Sequence, residues 1–160
     1  MTEKTIGDDI LLTFTIPRGD PGPSAPNAYG VAYNGSTAFG IAVGALTVVP
    51  LPISPLAAGM VLTGDGFIID TGGAYNISYG LHIETSVPMT IAVTVNGSEI
   101  APSVLTYPDD LTDAEHMFLA ALNPGNRVQV AVIGLDAAAT DVVLRNFVGA
   151  IRNLQFASFF

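Results

Sequence analysis

His82 and Glu84 stand two residues apart in a stretch of alternating pattern, so a strand there would place an imidazole and a carboxylate on one face. Such a pair can do acid–base chemistry when a substrate lies within hydrogen-bond reach. The second titratable cluster is Asp109-Asp110-Leu111-Thr112-Asp113-Ala114-Glu115-His116, in which Asp109, Asp110 and Asp113 are the candidate ligands for a hard cation such as Ca²⁺. Calcium takes roughly six to eight oxygens, and this run lacks the central glycine and the closing glutamate of an EF-hand loop. A solvated loop with a capping-box-like turn from Thr112 to Glu115 is therefore the simpler reading, and His82 with Glu84 is more simply a surface or interface pair. Arg18-Gly19-Asp20 matches the integrin-recognition tripeptide, but Gly19-Asp20-Pro21 is also a collagen triplet preceded by an arginine. No serine sits in a nucleophile elbow, and neither a phosphate loop nor a dinucleotide fingerprint is present. With no nucleophile, base and oxyanion hole in prospect, the chain reads as non-enzymatic and without a cofactor.

The elements that would carry these residues are strands. Alternation over residues 10–16 predicts a short strand, followed by a break over residues 17–26 that contains Gly19-Asp20-Pro21-Gly22-Pro23, about one and a half collagen-like Gly-X-Y triplets. Beyond it, residues 38–49, 60–63, 67–70, 75–85, 89–95, 99–100, 115–122 and 127–135 read as strands. Gly64-Asp65-Gly66, Asn96-Gly97 and Asn123-Pro124-Gly125-Asn126 supply turns between them, and Asn-Gly favours the type I′ turn because both central residues need positive φ. Residues 140–156 are too long for one ordinary strand unless bent near Gly149. Ala57-Ala58 and Ala137-Ala138-Ala139 are short helix candidates that do not change the class. About eight to ten strands without an amphipathic helix predict an all-β sandwich or barrel.

Composition narrows the partners. Hydrophobic residues make up 49% and charged residues 12% of the 160, so the chain has more apolar surface than one small core accounts for, and a subunit interface would bury the excess. A net charge of −9 repels phosphate backbones and anionic lipid, which argues against nucleic-acid and membrane partners. The longest apolar run, residues 39–58, contains Pro50, Pro52 and Pro55, which do not suit a spanning helix. There is no cysteine, hence no disulfide framework, and residues 1–5 lack the pattern of a secretory signal. Asn34-Gly35-Ser36, Asn76-Ile77-Ser78 and Asn96-Gly97-Ser98 match glycosylation sequons by chance, as Asn-Gly turns readily do.

Three motifs occur in a telling order. Gly73-Ala74-Tyr75-Asn76-Ile77-Ser78-Tyr79, then Leu122-Asn123-Pro124-Gly125-Asn126-Arg127-Val128-Gln129-Val130, then Phe147-Val148-Gly149-Ala150-Ile151 resemble three strands of the tumour necrosis factor and complement-globular-head jelly rolls. Asn126 replaces the usual aspartate of the second motif. Within that superfamily the chain is most similar to the C-terminal domains of BclA-like collagen-like exosporium glycoproteins, with Pro50-Leu51-Pro52 and Thr94-Val95-Asn96-Gly97 in support. The resemblance implies a jelly-roll β-sandwich over residues 27–160 and a homotrimer, with residues 1–26 an N-terminal segment that holds a short strand and a collagen-like Gly-X-Y remnant. It also implies aromatic residues near the three-fold axis, for which Tyr75, Tyr79, Phe147 and Phe156 are the candidates, as core or as interface. The implied function is the trimerising head of a collagen-like filament on an extracellular surface, a spore exosporium or a cell, with coat proteins or host receptors as further partners. The alternative is a receptor- or glycan-binding head of a viral collagen-like fibre. Two departures from the family stand out: the long collagen repeat is absent, and an unfamiliar N-terminal segment and an extra tail, residues 154–160, are present.

Overall fold

Local turn chemistry sets the strand boundaries in the computed structural model, which describes residues 2–6, 9–13, 28–35, 38–83, 87–108, 113–135 and 142–153. The first strands are β1 (Thr2–Ile6), β2 (Asp9–Thr13), β3 (Tyr29–Asn34), β4 (Ala38–Phe39), β5 (Thr47–Val48), β6 (Ile53–Ala58), β7 (Met60–Leu62) and β8 (Gly66–Ile69). They are followed by β9 (Gly73–Ile83), β10 (Met89–Val95), β11 (Ser98–Glu99), β12 (Leu105–Tyr107), β13 (Asp113–Leu122), β14 (Arg127–Gly134) and β15 (Val142–Asn153), with a 3₁₀ turn at Ala101–Ser103. At the β10–β11 hairpin Asn96 and Gly97 both have positive φ, 53° and 84°, as a type I′ turn requires, and Val95 pairs with Ser98 across it. The β7–β8 turn closes through Thr63 N–H donating to Gly66 O at 2.9 Å. Before β14, Asn126 folds its side chain back to accept from Asn123 N–H at 2.8 Å.

The strands form two antiparallel main ladders, β11-β10-β14-β8-β7 and β13-β9-β15-β3-β6. Short β5 and β12 extend the first ladder, β4 extends the second, and β1 and β2 pair with each other. Among the described residues ten strands thus build the sandwich, and the other five are accessory. Each ladder interleaves strands from both halves of the chain, the wrapping of a jelly roll. The core lies between the ladders, where Ile69, Tyr75, Met89, Ile91, Val93 and Val132 are fully buried, each contributing about 1.5–3 kcal/mol of apolar burial. Packing is close enough to require glycine at position 30: a Cβ there would stand 2.5 Å from Met60 Sδ and 2.7 Å from Phe67 Cε1. Ser103, fully buried, serves as a backbone surrogate, its Oγ accepting from Val93 N–H at 2.8 Å and donating to Ile100 O at 2.7 Å.

Several expectations change in detail. Residues 38–49 are not one strand, because Gly44 turns at φ 68° between β4 and β5 and Val43 bridges to Gly134 instead. Ala57-Ala58 is strand, not helix: β6 is an edge strand, where Pro55 is tolerated beside the irregularity in its pairing with β3. Asp113–Leu122 is strand from its first residue, so no capping turn ends at Glu115. The irregularity of β15 falls between Arg145 and Val148, just before the expected Gly149, which itself pairs regularly with Tyr79. The pairing of β2 with β1 was not anticipated. Ala137-Ala138-Ala139 lies outside the described residues.

Candidate functional site

Directly paired residues in a sheet share a face, so the register of β9 with β13 sorts their side chains into two rows. Tyr75, Ile77 and Tyr79 stand opposite Ala120, Phe118 and His116 and point to the core. Tyr75, at 0% exposure, donates its hydroxyl to Thr71 O, and Tyr79, at 3%, reaches Ser103 O at 3.4 Å. Burial, with the nearby Tyr107 second, pushes the Tyr79 phenol well above its ordinary pKa. His116 lies edge-on to Tyr79 and stacked on Phe118, with Nε2 2.9 Å from Pro102 O. Of the four aromatic candidates, Tyr75 and Tyr79 therefore pack inside the single chain. Phe147 pairs with Asn34 through its backbone in β15, and Phe156 lies outside the described residues.

The opposite row is half-buried on β9 and exposed on β13. Ala74, Asn76, Ser78 and Gly80 on β9 face outward beside Ala121, Leu119, Met117 and Glu115 on β13. Met117 is 64% and Leu119 60% exposed, although both are large and apolar. The small side chains of β9 leave a shallow depression of about 470 Å³ over Ser78, Gly80, Glu115 and Met117. Beside it Asn76 donates to Met117 Sδ at 3.3 Å, while its Oδ1 is buried without a hydrogen-bond partner among the described residues. At the far margin of the same sheet, β3 and β6 pair Val31 with Leu56 and Tyr33 with Ile53. Leu56 is 53% and Ile53 43% exposed. Between the margins, β15 pairs Ala150 with Ser78 on one side and Val31 on the other. One sheet thus carries exposed apolar groups along both its edges. The signal is present in the sequence as the alternation of residues 113–122, which sets Met117 and Leu119 on one face.

Of the titratable candidates, His82 and Asp113 lie among the described residues. His82 Nδ1 lies 2.7 Å from Asp113 Oδ1 on the neighbouring strand, a pairing made by register, not by sequence proximity. Glu84, Asp109, Asp110 and the Arg18-Gly19-Asp20 tripeptide lie outside the described residues. Among the described residues no three carboxylate, imidazole or thiol groups converge on a metal position. Of the sequon asparagines, Asn34 is buried and donates to Pro50 O at 2.9 Å. Asn96 Oδ1, in its exposed turn, accepts from Arg127 N–H at 2.9 Å. Among the described residues no helix is long and apolar enough to cross a membrane.

The profile of the BclA C-terminal domain matches residues 30–154. By sequence, no curated protein matches the chain. Among solved structures, the globular domain of zebrafish complement 1qA protein superposes with a TM-score of 0.55 at 13% identity, over 83% of this chain and 100% of that one. The PRD1 vertex protein P5 gives 0.53 at 13% identity, over 82% and 100%, and murine APRIL gives 0.55 at 15% identity, over 78% and 98%. These likenesses are of fold.

Proposed function

Because the chain belongs to the family of BclA C-terminal domains, whose members are structural or binding heads and not enzymes, we propose that it is the trimerising head of a collagen-like surface filament. The observation that carries this reading is the outer face of the six-stranded sheet, where Ile53, Leu56, Met117 and Leu119 stand exposed on one surface. Burying such side chains contributes about 1.5–3 kcal/mol each when complete, and a closed three-fold ring hides the face on every copy. Residues 27–160 form the head, and residues 1–26 lead to a stalk through their Gly-X-Y triplets. Three chains held at one end are at high effective concentration, which lowers the entropy cost of starting a triple helix. The role is mechanical, at the extracellular surface of a spore or cell, and its further contacts are coat proteins or host receptors. Light scattering with and without EDTA tests it. The expected mass is three times the 16.5 kDa chain, unchanged by the chelator; a stable monomer rejects the reading.

A receptor-binding head is the second reading, favoured by exposed Val43, Leu46, Val48 and Leu135. They lie around Gly134, at the end of the sandwich opposite Ala28, since Val43 bridges to Gly134 and Leu135 N–H donates to Pro88 O. A glycan and receptor screen with the assembled protein separates the two, because a purely structural head binds nothing there.

A further inference from the structure

Between β4 and β5 the chain forms an apolar knob. Residues 40–46 are glycine, alanine, isoleucine, valine and leucine only, and no Asp, Glu, Lys, Arg or His occurs from Pro21 to Gly64. Ala42 to Leu46 are all exposed, Val43 by 53%, while Ile41 and Val49 on either side are buried and anchor the knob to the core. Leu135, also exposed, follows directly on Gly134, to which the knob is bonded. Gly44 N–H donates to Gly134 O at 3.0 Å, Gly134 N–H donates to Ala42 O at 3.0 Å, and Ala42 N–H donates to Thr47 Oγ1 at 2.9 Å. The knob is thus held in shape by bonds made within the chain, and those backbone groups do not need water as a partner.

We infer that the knob inserts into the surface of a lipid bilayer without net charge, such as one of phosphatidylcholine. An exposed apolar patch marks a protein or a membrane contact, and the chemistry of this one separates the two. Protein interfaces carry about ten hydrogen bonds and anchor on Trp, Tyr or Arg. Residues 40–46 offer no side-chain donor, acceptor, ring or charge, and hydrocarbon asks for none of these. Val43, Leu46 and Leu135 would enter the boundary between headgroups and acyl chains, as the apolar side chains of other interfacial segments do. The net charge of −9 keeps the chain from anionic lipid, which selects a neutral surface and leaves insertion itself unopposed. The knob stands at the end of the sandwich opposite Ala28, so a head tethered from its N-terminal side presents it outward.

The chain contains no tryptophan, so one placed in the knob reports its surroundings alone. With phosphatidylcholine vesicles, Leu46→Trp is expected to shift its emission to the blue and to be quenched by lipids brominated on the acyl chain. Val61→Trp, on edge strand β7 at a site as exposed as Val43, is expected to do neither. The parent chain should float with the same vesicles, Val43→Asp should bind about tenfold more weakly or worse, and Val61→Asp should bind as the parent does. Raised salt should leave binding to phosphatidylcholine intact, because the contact is apolar, and phosphatidylserine-rich vesicles should bind less at low salt. If Leu46→Trp does not fold, Leu135→Trp takes its place. A parent that neither floats nor, with the tryptophan, shifts its emission overturns the inference and leaves the knob to a protein partner. Equal losses from Val43→Asp and Val61→Asp also overturn it, as does binding confined to anionic vesicles. Light scattering on the parent keeps this apart from the trimeric head: a monomer that inserts upholds the inference and rejects the head, whereas a trimer that does not insert rejects the inference alone.

Discussion

Asp65 sits in the β7–β8 turn and binds across to β14, its Oδ2 accepting from Arg127 Nη2 at 2.6 Å and from Gln129 Nε2 at 2.9 Å, and its Oδ1 from Thr63 Oγ1 at 2.7 Å. Burial works to raise its pKa, but the hydrogen bonds from Arg127 and Thr63, with the charge of Arg127, outweigh it and hold the carboxyl below its ordinary value of 3.8. A depressed folded pKa contributes stability that is fully present above the ordinary value and is lost as pH falls through the folded one. Asp65→Asn is expected to cost about 1 kcal/mol at neutral pH, since Arg127 is half exposed and the pair is screened. Denaturant titrations of both proteins at neutral and strongly acid pH check this. The gap should close on acidification, and a gap that persists there would mean the carboxylate charge is not what stabilises the turn. The site was legible at this scale only in part. Tyr75 and Tyr79 stood out as aromatics in a recognisable strand, yet one residue's difference in alternation decides core from surface, and it placed both inside. His82 was visible, but its partner Asp113 is 31 positions away and could be found only from the register of β9 with β13.

Turns are where the sequence speaks most clearly about elements. Asn96-Gly97 and Gly64-Asp65-Gly66 gave the β10–β11 and β7–β8 hairpins because positive φ is a local demand that few residues meet. Gly97→Ala keeps the side chain clear of neighbours, since nothing lies within 4 Å of an added Cβ, but retains φ at 84°. It is therefore expected to destabilise by about 1–2 kcal/mol through backbone strain alone. Thermal melts of Gly97→Ala beside Gly35→Ala, a glycine that also has open space and no positive φ, check the assignment; equal losses would refute it. Less legible were β6 and the break between β4 and β5. Alanines with a proline do not announce a strand, and β6 forms because the edge of the sheet leaves Pro55 without a ladder bond to lose. Long-range pairing also made β15 a single strand, absorbing its length in one irregularity just before Gly149.

For the whole molecule, part of the apolar excess counted in the sequence is found as geometry: Ile53, Leu56, Met117 and Leu119 stand exposed on one sheet face, while Val43, Leu46, Val48 and Leu135 are exposed around Gly134. If association hides that face, unfolding and dissociation are linked, and the melting midpoint rises with protein concentration by mass action. Leu119→Glu, on the exposed row of β13, is expected to abolish that dependence while leaving the β-sheet circular dichroism intact. A parent midpoint that does not move over a hundredfold dilution range would sink the linkage.

The position of β3 has a mechanical consequence. The strand begins at Tyr29 and lies inside its sheet between β15 and β6. If the head is tethered through its N-terminal side as proposed, a pull at Tyr29 along β3 would load the six pairs from Tyr29 with Arg152 to Asn34 with Phe147 together in shear. An edge strand pulled sideways would unzip one pair at a time.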